Sequence, residues 1–150
     1  QDKFPVCKMR HDACSMAMGT ASAGPKAGAN KMQLCEDSLK CVYNSNCADI
    51  PAGGTMMDAD TLSCLCGAGV MLEACTSGSG LSSAQGMCKA ELSGAAESMM
   101  AQEVSTRLGD PTYAAGLAIR AVQCAQRYCP KTCGLCASTD ATCVDMVPMP

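Results

Sequence analysis

KMQLCEDSLKCVY, residues 31–43, carries the reading that decides the fold class. Leu34, Cys35, Leu39 and Val42 recur at three- and four-residue intervals, the period of a helix with one apolar face turned to a core. Asn44-Ser45-Asn46 ends the helix, and the run Cys35-x5-Cys41-x5-Cys47 ties the same segment into a cysteine framework. On its N-terminal side, residues 19–30 are a loop of small residues. Before that loop, a short helix begins near Phe4-Pro5-Val6-Cys7. It places Cys7 and Cys14, seven residues apart, on one face.

On the C-terminal side Pro51-Ala52-Gly53-Gly54 reads as loop, and Asp58 or Asp60 caps the helical turn that carries Cys64-Leu65-Cys66. Val70, Met71, Leu72 and Cys75 predict another short helix. Residues 77–80 are a flexible connection, and Ser82 or Ser83 is an N-cap. The longest periodicity follows: Cys88, Leu92, Ala96, Met100, Val104 and Leu108 recur every four residues, flanked by Ala95 and Met99. Gly109-Asp110-Pro111 ends that helix and opens the next, with Pro in its first turn. In the last helix Tyr113, Leu117, Ala121, Cys124 and Tyr128 share a face, opposite Arg120, Gln123 and Arg127. The expectation is an all-α, disulfide-rich domain of several short helices plus a helical hairpin over about 83–128. A cysteine-rich helical and loop region (1–82) joins a hairpin region with a cysteine-rich end (83–150) in one compact unit.

Fourteen cysteines in 150 residues are a framework rather than incidental core. Cys7, Cys14, Cys35, Cys41, Cys47, Cys64, Cys66, Cys75, Cys88, Cys124, Cys129, Cys133, Cys136 and Cys143 make up to seven bridges with none left over; spacing leaves the connectivity open. Bridges in that number point to an oxidising compartment, so the chain is expected to be secreted or lumenal. Beginning at Gln1 without a leader, it reads as a form from which a targeting segment has been removed. One Phe, three Tyr, no Trp and twelve Met leave methionine, alanine and sulfur as the core materials.

Charged residues make up only 17%, the net charge is −3, and Lys and Arg form no run, which excludes nucleic-acid binding through a basic stripe. No apolar stretch approaches the roughly 18 residues that span a membrane. The tail Met146-Val147-Pro148-Met149-Pro150 is apolar and is expected to dock on a protein partner.

From Tyr113-x3-Leu117 the chain runs into Cys129-Pro130-Lys131-Thr132-Cys133-Gly134-Leu135-Cys136. This ending resembles the ShK-toxin-like (ShKT) cysteine-rich family, whose second half passes through a helix into C-x3-C-x2-C, often as CPxTCGxC. Cys143-Val144-Asp145 resembles the C-x-D that opens such a domain. The resemblance covers about residues 113–136. It implies that Cys129, Cys133 and Cys136 pair with other cysteines rather than with one another. Channel-blocking members carry a Lys–Tyr pair where this chain has Gln123 and Cys124, so channel block is not implied.

Other chemistries lack a residue set. Zinc sites come as two close cysteine pairs at a set spacing, often with His, whereas the cysteines here are scattered. Cys7, Met9, His11, Cys14, Met16 and Met18 are soft ligands for Cu(I), but oxidised cysteines would be lost to it. Cys133-Gly-Leu-Cys136 follows a helix instead of opening one, unlike a thioredoxin-type dithiol. Asp58, Asp60, Glu36 and Asp37 read as caps or solvated surface, and there is no phosphate loop. The expectation is a non-enzymatic structural or interaction protein without cofactor or metal, a subunit of a larger assembly such as a filament, a matrix or the lumenal side of a membrane complex. The alternative is a monomeric secreted effector of ShKT type that binds a receptor or channel. A thiol-redox protein is third.

Overall fold

The computed structural model describes residues 5–54, 60–137 and 141–146. Among them are seven helices and no strand: α1 Pro5–Ser15, α2 Lys31–Ser45, α3 Ser63–Cys66, α4 Leu72–Thr76, α5 Lys89–Ala95, α6 Ala101–Arg107 and α7 Ala114–Tyr128. The disulfide-rich all-α class is as expected. α2 forms as its sequence dictates. Asn30 Oδ1 accepts the Met32 N–H at 2.8 Å, and Leu34, Cys35, Leu39 and Val42 are buried. Asn46, in the left-handed conformation, ends it. Asp60, not a residue of the helix itself, sets up α3 by accepting the Leu62 N–H; Asp58 lies outside the described residues.

α7 is the centre of the body, with α1 and α2 packed on it and α5 against both α2 and α7. Small side chains make the close approach possible: Ala114, Ala115, Ala118, Ala121 and Ala125 are all buried. At Gly116 a Cβ would stand 1.9 Å from the Asp110 carbonyl oxygen, so the loop before α7 can cross the helix only over a glycine. The inner face is centred on Ala115, Ala118, Ile119, Val122 and Ala125, with Leu117 and Tyr128 at its margins. Of the expected row Tyr113, Leu117, Ala121, Cys124 and Tyr128, Ala121 and Cys124 are buried, while Tyr113, Leu117 and Tyr128 are only partly so. The polar row Arg120, Gln123 and Arg127 is on the outside as expected.

The long helix over 83–108 is broken, and the hairpin with the last helix does not form. Residues 81–88 are turns, with Cys88 at the start of α5. α5 then stops in a Schellman motif: the Glu97 N–H donates to Gly94 O and the Ser98 N–H to Ser93 O. Glu97 holds the left-handed position (φ 56°) usually given to glycine. Its carboxylate is only 4% exposed, accepting the Ser22 N–H and hydroxyl at 2.8 and 2.7 Å and pairing with Lys31 Nζ at 2.9 Å. Arg107 donates to the Ala96 and Glu97 carbonyls, both at 2.9 Å, and lies 4.7 Å from the Tyr113 ring centre. Ser98 Oγ accepts the Met100 N–H and restarts the chain as α6. The four-residue period persists across the break, and of its members only Met100 is exposed. Periodicity sees burial, not the tertiary partner that makes a turn worthwhile. α7 likewise starts at Ala114, three residues after Pro111, because Asp110 Oδ1 first closes a turn on Thr112.

Methionine is not core material. Of the nine methionines among the described residues, Met9, Met16, Met18, Met71, Met87, Met99, Met100 and Met146 are exposed and Met32 is partly so. The core is Leu34, Leu39, Val42, Leu65, Leu92, Val104, Ile119, Val122 and Leu135, filled in by alanine and cystine.

All fourteen cysteines are bridged. Cys7–Cys124 ties α1 to α7, Cys14–Cys35 ties α1 to α2, and Cys41–Cys88 ties α2 to the start of α5. Cys47–Cys64 and Cys66–Cys75 hold α3 and α4. Cys7–Cys124 and Cys41–Cys88 both cross residue 82, so regions 1–82 and 83–150 are covalently joined. The last two bridges are local, Cys129–Cys133 and Cys136–Cys143. The pairing implied by the ShKT resemblance is thereby overturned at Cys129 and Cys133. A single turn beyond α7, closed by the Cys133 N–H on the Cys129 carbonyl at 2.7 Å, sets their Cα atoms 5.5 Å apart, well inside bridging distance.

Candidate binding cleft beside the local disulfide

The C-terminal segment turns back under α7 and closes a cleft of about 350 Å³. Its position follows from three local facts. Leu135, fully buried, pins the segment to the core. Ile50 donates its N–H to Leu135 O at 2.8 Å and accepts the Ala137 N–H at 3.1 Å. Asp145 accepts the N–H groups of Lys131 and Thr132 at 2.9 and 3.0 Å and the Thr132 hydroxyl, which fixes the CPKTC turn. Burial pushes the Asp145 carboxyl up, but those donors and the nearby Lys131 charge outweigh it and hold it below the usual range.

Three helices and one turn wall the cleft. Cys7, Lys8 and His11 come from α1, Tyr43 from α2, Ala121 and Ala125 from α7, and Cys129, Thr132 and Cys133 from the turn beyond it. The floor is aliphatic and sulfur-rich. The polar groups at its edge are an ammonium, an imidazole, a phenol and a hydroxyl. Lys8 Nζ is shared with Asp12 at 2.6 Å across one helical turn. Burial raises the Tyr43 hydroxyl pKa, so Tyr43 remains a neutral donor. A cleft of this size, apolar with few polar groups, is of the kind that takes small molecules or a side chain.

Two further hollows are more open. One, lined by Asp49, Asp60, Ser63 and Gln85, holds a carboxyl whose buried Oδ1 lacks a hydrogen-bond partner, and burial raises the Asp49 pKa. The other is a shallow groove shared by Met16, Met18 and Met32.

The residues weighed as soft ligands for Cu(I) are divided between bridges, the cleft and a separate groove. Cys7 and Cys14 are in bridges, His11 lines the cleft, and Met16 and Met18 line the separate groove. Cys133 and Cys136 are bridged to Cys129 and Cys143 instead of to each other. Of the tail, only Met146 is described: half exposed, its N–H donates to Tyr128 O at 3.1 Å. Val147, Pro148, Met149 and Pro150 lie outside the described residues. Sequence reading missed Lys8, Tyr43, Thr132, Ala121 and Ala125 as a group. The one available signal was that Cys7 and His11 are four apart on a helix face; nothing local links them to Tyr43 or Thr132. Compared with protein-family models, curated proteins and solved structures, the chain matches none.

Proposed function

We propose that this is a non-enzymatic, disulfide-stapled interaction protein of an oxidising compartment, secreted or lumenal, which works as a subunit of a larger assembly. The observation that carries the reading is the outward placement of methionine, with Met9, Met18, Met71 and Met87 each more than two-thirds exposed. Flexible, polarisable thioethers suit surfaces that re-pack against a partner. Seven bridges keep the scaffold beneath them rigid, which lowers the ordering cost of association. No helix among the described residues is long and apolar enough to cross a membrane.

Sedimentation of the protein isolated without reductant tests this. The expected species is heavier than the 15.3 kDa chain, and substituting Met16, Met18 and Met87 by Gln shifts it toward that mass. A monomer at every concentration, with no co-purifying partner, overturns the proposal in favour of a soluble ShKT-type effector.

A further inference from the structure

The Cys129–Cys133 bridge differs from the other six in its surroundings. Both of its residues line the cleft, whereas of the Cys7–Cys124 pair only Cys7 does. Cys129 is 1% exposed at the back and Cys133 is partly exposed toward the opening. Lys8 and His11 face the same space, and no carboxylate lines it. Two acids bond to residues that line it or its turn: Asp12 is held by Lys8, and Asp145 accepts the turn's own donors. We infer that Cys129–Cys133 is a thiol–disulfide exchange site, opened by dithiols that enter the cleft and re-formed by the corresponding disulfides in the reverse exchange.

The step balances without another reactant. A donor dithiol, ionised at one sulfur, attacks Sγ of Cys133 from the open side. The Cys133–Cys129 bond breaks, its electron pair leaves on the Cys129 sulfur, and a mixed disulfide joins Cys133 to the donor. The donor's second thiol gives up its proton and attacks its own sulfur in that mixed disulfide, releasing Cys133 as thiolate. Two electrons pass to the bridge, the donor becomes a disulfide, and the two donor protons end on Cys129 and Cys133. A leaving thiolate departs faster where its charge is stabilised. In this cleft the groups available to it are the Lys8 ammonium, shared with Asp12, and the His11 imidazole.

Position also makes the opening reversible. With the two cysteines only four positions apart in sequence, the freed thiols stay on one turn, still held by the Cys133 N–H to Cys129 O and by buried Leu135. Opening Cys7–Cys124 would instead unlink α1 from α7.

The test is graded reduction of the oxidised protein with dithiothreitol, acid quench, maleimide trapping and peptide mapping. Cys129 and Cys133 are expected to label together and first, with helical circular dichroism unchanged. Earlier labelling of Cys136 with Cys143, or of Cys7 with Cys124, or simultaneous labelling of all fourteen, overturns the inference. In a second measurement the K8Q/H11Q variant opens about threefold more slowly, the sensitivity expected of a leaving-group effect. Lys40→Gln, on α2 and outside the cleft, keeps the native rate. Equal rates in all three proteins, or equal slowing in both variants, removes the assigned role of the cleft's cationic wall.

Discussion

The helical body as far as Tyr128 and the segment beyond it use sulfur in opposite ways. In the body, bridges join residues as far as 117 positions apart and fix which helix lies on which. In the segment, the bridges span 4 and 7 positions and shape only the turns they close. What binds the segment to the body is not covalent beyond the chain itself: Leu135 in the core, two backbone hydrogen bonds at Ile50 and the Met146 N–H on the Tyr128 carbonyl. A long closed loop removes far more freedom from the unfolded chain than a short one. Chain-entropy reasoning therefore assigns about 5 kcal/mol to Cys7–Cys124 and about 2 kcal/mol to Cys129–Cys133. The body's bridges carry stability, and the segment's carry little of it, which leaves Cys129–Cys133 free to open without unfolding the helices.

The sharpest way to break this comparison is to remove one bridge from each region. Chemical denaturation of C7A/C124A should show a loss of about 4–5 kcal/mol, and C129A/C133A about 2 kcal/mol or less. Equal losses would mean that the segment is as integral as the helices.

The next effect is smaller. Leu135→Ala, a cavity-forming change at a fully buried site, should cost about 3 kcal/mol. Hydrogen exchange should show the amides of Ile50 and Ala137 losing protection before those of α2 and α7. Uniform loss across the chain would join segment and body into a single cooperative unit.

The smallest effect separates the two anchoring carboxylates. Burial raises the Glu97 pKa, but the bonds from Lys31 and Ser22 outweigh it and hold the carboxyl below its ordinary value; Asp145 is lowered likewise. A carboxyl that is lower in the folded state contributes fully above the unfolded pKa, and the contribution fades as pH falls through the folded one. Glu97→Gln should cost about 2 kcal/mol at neutral pH and much less in acid. Asp145→Asn, on a solvent-facing turn, should cost no more than about 1 kcal/mol. Acid titration of stability in both variants checks the order; a larger acid dependence at Asp145 would reverse it.

How much was legible depends on how local the cause is. α2 could be read to within two residues because its cap, inner face and C-terminal Asn all lie within one stretch. The break at Glu97 could not. Its left-handed backbone is supported by Ser22 and Lys31, more than sixty residues away, and by Arg107 on the next helix. The methionines were misplaced for a related reason. Hydropathy ranks a residue as apolar, yet alanine and cystine had already filled the interior, and the long flexible side chains were left outside. The cleft was the least legible feature, since Lys8, Tyr43 and Thr132 carry no common pattern along the chain.

The sequence by itself determined the helical class, the α2 boundaries, the outer face of α7 and full oxidation as an even-numbered framework. Each follows from spacing, capping chemistry or count, properties that a few neighbouring residues express. Only the tertiary structure decided which cysteines meet, where the long helix breaks, and that a local disulfide shares a cleft with Lys8 and His11. Those depend on contacts between residues distant along the chain, where a few ångströms of packing select one partner among many that spacing allows.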